Sequence, residues 1–416
     1  MNLTTLGQQA RAAFKRISLA DSETRQKTVL ALANHLENNF APIRAANQQD
    51  IDLAHAGGMT PALIDRLTLT ESRLNGMVAD VRALAELPDP IGEVYDARTL
   101  PNGLRIHRQR VPLGVLGVIY ESRPNVTIDV AALAIKTGNA AILRGGKETI
   151  HSNLALLEIV HAALRENTLP AETVQFIDSP DRALVAEMLK LNDYIDVIIP
   201  RGGNGLHQFC RQNATIPVIT GGIGICHLFV DETADLDAAL PVIFNAKTQR
   251  PSVCNSLDTL LVHENIAATF LPRVVAHLAP AGVTFRTEPA AAALLDHPTV
   301  YPAGPDDFDT EWLALILGLK VVPDLDTAIE HIYAHSTFHS DGILTQTSHN
   351  AERFIREVDS AAVFVNASTR FNDGAQLGLG AEVAVSTQRL HARGPMGLPE
   401  LTTYKWVVVG DYTVRG

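Results

Sequence analysis

From Gly114 onward the chain alternates short apolar runs with amphipathic segments, and this alternation constrains the fold more than any other feature. Residues 115–120 read as a buried strand, 127–137 as a helix closed by Gly138, 140–143 as a strand and 149–165 as a long helix. The rhythm continues with a strand at 174–177, a helix over 181–191 with Ser179-Pro180 as cap and first turn, and a strand at 196–199. Apolar strands separated by helices predict a parallel sheet covered by helices, the architecture used for dinucleotides. A second α/β series spans about 225–365.

The flanking regions follow other patterns. The first ninety or so residues read as helices, with apolar residues at three- and four-residue steps such as Val29, Leu32, Ala33 and Leu36, until Pro88-Asp89-Pro90 ends the region. Residues 94–111 have the chemistry of a β-hairpin turning at Pro101-Asn102-Gly103. Its second arm, 104–111, is too polar for a core strand, and an exposed strand edge needs something to pair with it. A second subunit is the expected partner, with the terminal strand at 402–409 as the other candidate.

Composition sets limits on partners and compartment. A length of 416 residues with 46% apolar and 19% charged residues suits a globular chain of two or three domains. The net charge of −12 argues against nucleic acid or an anionic membrane as the main partner, while leaving room for a local basic pocket. Cys210, Cys226 and Cys254 lack metal-ligand spacing, so no metal site is expected and a cytoplasmic location fits best. No secretion signal is read at the start, and the most apolar stretch, 312–319, is far short of the roughly 20 residues that cross a bilayer.

Four stretches could carry chemistry. Gln249-Arg250-Pro251-Ser252-Val253-Cys254-Asn255-Ser256 joins a helix over 236–248 to a strand over 257–262, which makes Cys254 either an exposed nucleophile or a small buried hydrophobe. Arg144-Gly145-Gly146-Lys147-Glu148 lies at the carboxyl end of a strand, where two cations beside two glycines suit a phosphate or form a solvated strand end. Pro200-Arg201-Gly202-Gly203-Asn204-Gly205-Leu206 opens a helix, and its glycines leave backbone N–H groups to face an anion or simply form a turn. In Ser122-Arg123-Pro124-Asn125-Val126-Thr127, Asn125 is placed to cap a helix or to donate to an oxyanion, with Arg123 near an anionic substrate group.

Together these stretches, with Gly117 to Thr127 in full, Ile199-Pro200-Arg201-Gly202-Gly203 and Ala375-Gln376-Leu377-Gly378-Leu379-Gly380, resemble the aldehyde dehydrogenase superfamily over nearly the whole chain. The resemblance implies an α/β fold of three parts. These are a dinucleotide-binding parallel-sheet domain (1–93 and 112–225), an α/β catalytic domain (226–390) and a small β oligomerisation arm (94–111 and 400–416). It implies NADPH-dependent reduction of L-glutamyl 5-phosphate to L-glutamate 5-semialdehyde and phosphate through a cysteine thioester, in proline biosynthesis. Cys254 would be the nucleophile and Asn125 the oxyanion donor. Arg144, Lys147, Arg201, Gly202, Gly203 and Glu311 would hold NADP(H), with Glu311 on the nicotinamide ribose. Arg123, Asn255 and Arg370 would bind the substrate. The implied partners are further copies of the chain and glutamate 5-kinase. Hydrolytic relatives in this superfamily carry a glutamate before the Gly221-Gly222 turn, where Ile219-Thr220 stand here. Water is therefore expected to be a poor acceptor.

Overall fold

The Val115–Tyr120 strand is buried along its whole length, as an unbroken apolar run requires. It pairs in parallel with Ala140–Arg144 on one side and Val197–Arg201 on the other, and Val174–Phe176 extends the sheet beyond Ala140–Arg144. The structure, a computed structural model, describes residues 2–221 and 223–415. Gly222 of the expected turn and Gly416 of the expected arm lie outside the described residues.

Side chains alternate across this sheet. Leu116 and Val118 face a core built with Leu32, Val81, Leu133 and Val160, whereas Val115 and Ile119 face a second core with Leu3, Leu6 and Met188. The helices Ser22–Asn38, Glu71–Glu86, Asn125–Lys136 and Ile150–Glu166 supply the first cover and Leu3–Ile17 the second. Two helices differ from expectation. Asn125–Lys136 begins at Asn125 itself, with Pro124 as its N-cap. The helix expected over 181–191 is shortened to Ala183–Met188, because the Leu189 carbonyl accepts from Thr215 N–H and Leu191 accepts from Tyr194 and Ile195 as the chain turns toward the next strand.

The hairpin forms from Val94–Thr99 and Arg105–Pro112, and its second edge is taken by Thr402–Val409, in register from Thr402 opposite Pro112 to Val409 opposite Arg105. The mate expected from a second subunit is thus supplied by the chain's own last strand. The polar arm becomes a central strand, which satisfies both of its edges. Contacts group residues Met1–Thr220, Gly378–Ala384 and Leu390–Gly416 into one compact unit.

The other unit comprises Gly221–Leu377 and Val385–Arg389. Its seven-stranded parallel sheet runs in the order Val300–Pro302, Thr284–Thr287, Ile316–Val322, Leu257–His263, Cys226–Val230, Ser340–Leu344, Ala362–Val365. Leu257–His263 is central and wholly buried. The Leu236–Thr248 helix before it starts at Asp235, whose carboxylate accepts from the Asp237 and Ala238 N–H groups at 3.0 Å each. Among the described residues no helix is long and apolar enough to cross a membrane.

Candidate active site

The connection from Leu236–Thr248 to Leu257–His263 carries Cys254, and hydrogen bonds hold both of its ends. Gln249 N–H donates to the Asn245 carbonyl at 3.3 Å and Ser256 N–H to the Val253 carbonyl at 3.0 Å. Cys254 is partly exposed, while Asn255 beside it is buried. Asn255 Nδ2 donates to the carbonyls of Asn372 at 3.1 Å and Arg370 at 3.5 Å, and Thr369 Oγ1 donates to the Asn255 carbonyl at 2.7 Å. The loop is therefore laced to the segment that carries Arg370. Burial holds the Arg370 guanidinium below its usual pKa, Asp373 opposes this, Arg250 adds to it, and the Cys254 thiolate favours the charged form. Its Nε donates to Gln249 Oε1 at 3.0 Å.

The peptide after Cys254 is held from the other side. Cys226, fully buried on the neighbouring strand, donates its thiol hydrogen to the Cys254 carbonyl at 3.1 Å. Gly224 passes so near that a Cβ there would lie 1.6 Å from the same carbonyl oxygen. Gly224 N–H in turn donates to Glu311 Oε1 at 2.9 Å. Cys254, Asn255, Glu311 and Arg370 are thus brought together in one unit.

The remaining candidates belong to the sheet unit. Arg144 is buried and donates to the carbonyls of Gly145 and Pro180, leaving its Nε without a partner among the described residues. Lys147 is exposed. The glycines between them make room for side chains rather than for a ligand. A Cβ on Gly145 would lie 2.2 Å from Asn153 Nδ2, and one on Gly146 would lie 2.0 Å from Glu148 Oε1. After the Val197–Arg201 strand, Gly203 and Gly205 have open space where a Cβ would go, yet the Gly203 N–H expected to face an anion already donates to Glu121 at 3.0 Å. Gly202 leaves room for that same carboxylate, 2.4 Å from where its Cβ would be. Arg123 lies partly buried in the turn before Asn125.

Asn125 does not cap its helix. Its Nδ2 donates to Asp129 Oδ2 at 2.9 Å, one turn along. Burial pushes the Asp129 pKa up to about 7, against the lowering pull of Asn125 and Arg201. Asn125 and Arg201 therefore share a carboxyl neighbour.

Sequence reasoning missed Lys247 and Asp258. Lys247 Nζ, fully buried, donates to the Leu257 carbonyl at 2.8 Å and pairs with Asp258 Oδ1 at 3.4 Å. The signal was a charged residue inside a strand buried on both faces, which demands a partner. Ile219, at the position where the resemblance places a carboxylate in hydrolytic enzymes, is 3% exposed within the apolar core of its unit.

The Aldehyde dehydrogenase family profile matches residues 3–293. Gamma-glutamyl phosphate reductase of Psychromonas ingrahamii is 56% identical over 416 residues, covering 100% of both chains. Its counterpart in Roseiflexus castenholzii is 57% identical over 421 residues, covering 100% of this chain and 99% of that one. The crystal structure of gamma-glutamyl phosphate reductase from Thermotoga maritima superposes with a TM-score of 0.96 at 48% identity, over 100% of each chain. Chains this similar along their full length share an architecture. The chain belongs to the aldehyde dehydrogenase family and, within it, to the gamma-glutamyl phosphate reductases.

Proposed function

We propose that this chain reduces L-glutamyl 5-phosphate to L-glutamate 5-semialdehyde and phosphate, with NADPH as the reductant, as a step of proline biosynthesis. The observation that carries the reading is the laced loop that presents Cys254, partly exposed, beside the Arg370 guanidinium.

The cofactor-side residues fit a dinucleotide. Lys147 offers an exposed cation, Arg144 has a buried Nε without a partner among the described residues, and Gly203 and Gly205 leave open space beside the chain after a parallel strand, although the Gly203 N–H is held by Glu121. Arg144, Lys147, Arg201, Gly202 and Gly203 would hold it on that side and Glu311 on the nicotinamide ribose. When bound, the reduced nicotinamide supplies a hydride.

Cys254 thiolate attacks the acyl carbon, the carbon–sulfur bond forms, and the bond to the phosphate oxygen breaks. Negative charge develops on the carbonyl oxygen in this step and again before the aldehyde leaves, and fixed N–H donors stabilise it. The Cys254 backbone amide and Asn125 are assigned that role. Arg123 and Arg370 are assigned to the anionic groups of the substrate, and Asn255 contributes by tying the nucleophile loop to the Arg370 segment.

In the oxidative direction a phosphate dianion attacks the thioester without a general base, and a buried Ile219 offers water no such base. NADP⁺ reduction by glutamate 5-semialdehyde should therefore require phosphate. Steady turnover in phosphate-free buffer with glutamate as product would refute the reading.

We assign the arm to contact between copies of the chain. Val94, Tyr404, Trp406 and Val408 are each 45% exposed or more, a larger apolar exposure than a solvated surface strand needs. A cytoplasmic location, with glutamate 5-kinase supplying the labile acyl phosphate, completes the proposal.

A further inference from the structure

The buried ion pair beside the nucleophile loop has no place in the chemistry above. Lys247 stands in the last turn of the helix before the loop, and Asp258 is the second residue of the strand after it. The pair therefore closes the base of the loop that carries Cys254. Lys247 also donates to the Leu257 carbonyl at 2.8 Å, so the cation touches both the strand's backbone and its carboxylate.

Asp258 reaches a second segment as well. Its Oδ1 accepts from Trp312 N–H at 3.3 Å, immediately after Glu311. Glu311 Oε1 accepts from Gly224 N–H at 2.9 Å, and Gly224 packs against the Cys254 carbonyl, which also accepts from the Cys226 thiol at 3.1 Å. The contacts form one connected path from Lys247 and Asp258 through Trp312, Glu311 and Gly224 to the peptide of the nucleophile.

Burying two charges is costly, and an apolar pair of like volume is often as stable or more so. A pair retained in this position is better explained by geometry than by stability. We infer that Asp258, held by Lys247, is a positioning residue that sets the Glu311-Trp312 segment and the Cys254 loop in one fixed relation. The inference rests on the reading of Cys254 as nucleophile and Glu311 as a cofactor contact. Its consequence is that Asp258 acts on both cofactor affinity and thiol reactivity without touching either partner.

The test compares three full-length proteins with the unmodified chain. The variant Lys247→Met/Asp258→Leu removes both charges and the acceptor for Trp312. Asp258→Asn keeps an oxygen for Trp312 N–H while removing the charge. Cys254→Ser tests the underlying reading. Measured are thermal unfolding, NADPH affinity by fluorescence quenching, kcat and KM, and the rate of Cys254 alkylation by iodoacetamide followed by mass spectrometry. The apolar pair should fold, weaken NADPH binding, and change both kcat and the alkylation rate by about tenfold, since small misplacements of reacting groups cost this much or more. Asp258→Asn should stay near the unmodified values in NADPH affinity and alkylation.

If the apolar pair folds with unchanged NADPH affinity and alkylation rate, the positioning role is wrong. If Asp258→Asn loses as much as the apolar pair does, charge and not placement is what matters, and the inference fails equally. Should the apolar pair not fold, the smaller Lys247→Met/Asp258→Ala takes its place in the same measurements, and unchanged NADPH affinity and alkylation rate in it would overturn the positioning role. Turnover surviving in Cys254→Ser would instead overturn the underlying reading and is separable from these outcomes.

Discussion

Cys254 is the proposed nucleophile, and replacement tests this directly. Cys254→Ser should abolish turnover while leaving the unfolding temperature and NADPH binding near their unmodified values, because a hydroxyl without a paired base is a far weaker nucleophile. Retention of more than a trace of activity in a steady-state assay would exclude the covalent route. Gly224→Ala should be severe for a different reason. Its methyl would sit 1.6 Å from the Cys254 carbonyl oxygen, a backbone atom that cannot swing aside. A loss of stability of roughly 1–3 kcal/mol or more is expected, together with a fall in kcat, readable by denaturant unfolding and initial rates. Lys147 is the exposed cation beside Arg144, whose guanidinium is partly spent on backbone carbonyls. Lys147→Glu should therefore lower kcat/KM for NADPH by about tenfold, equivalent to about 1.4 kcal/mol, and leave NADH less affected. An unchanged NADPH/NADH ratio would remove Lys147 from the 2′-phosphate.

At the scale of an element, the Leu325–His335 helix turns a titratable face inward. His331 is 5% exposed, stacks near His227 and His335, and lies 3.1 Å from Lys320 Nζ. Burial, with His227 and Lys320 adding repulsion, pushes its pKa from 6.5 down to about 2. The unfolded chain takes up a proton below 6.5 that the folded chain refuses, so this contribution is complete above that pH and is lost as pH falls below it. The loss approaches about 1.4 kcal/mol per pH unit at most. Asp129 acts in the opposite sense, because burial raises it to about 7 and the folded chain holds a proton that the unfolded chain releases between 3.8 and that value. Its contribution falls as pH rises through that window. His331→Leu should flatten the decline in unfolding temperature between pH 6.5 and 5, and an unaltered slope would show that other groups govern acid stability.

For the whole molecule, the arm is the part whose exposure the fold itself leaves unexplained. Arg108 lies over the rings of Tyr404 and Trp406 at 4.7 Å from each centroid, which keeps these aromatics in place on the sheet face. The proposed contact between copies is tested by Trp406→Glu, which should shift the molecular mass in sedimentation toward the monomer without loss of secondary structure, and an unchanged mass would overturn the arm's assigned role. The Ile219 position shows how burial limits engineering of the reaction. Ile219→Glu would place a carboxylate in a core at 3% exposure, so destabilisation is the expected result rather than a new hydrolytic activity.

The sequence by itself determined the strands of the first α/β series, the hairpin and its mate, and the helix and strand that flank Cys254, while the other elements of the second series were legible only as an alternation. The short apolar run 115–120 after Gly114 reads as a buried strand, and a cysteine between a helix and a strand is visible in one dimension. The partner of the hairpin was also legible as a candidate, since the same polar arm needed a mate and 402–409 was available. Only the tertiary structure decided which polar groups meet. Glu121 on Gly203 N–H, Asn125 on Asp129 and Lys247 with Asp258 are choices of hydrogen-bond partner among many that the sequence permits. Such choices depend on distances of a few ångströms between segments far apart in the chain, whereas periodicity reports only which face of an element is apolar.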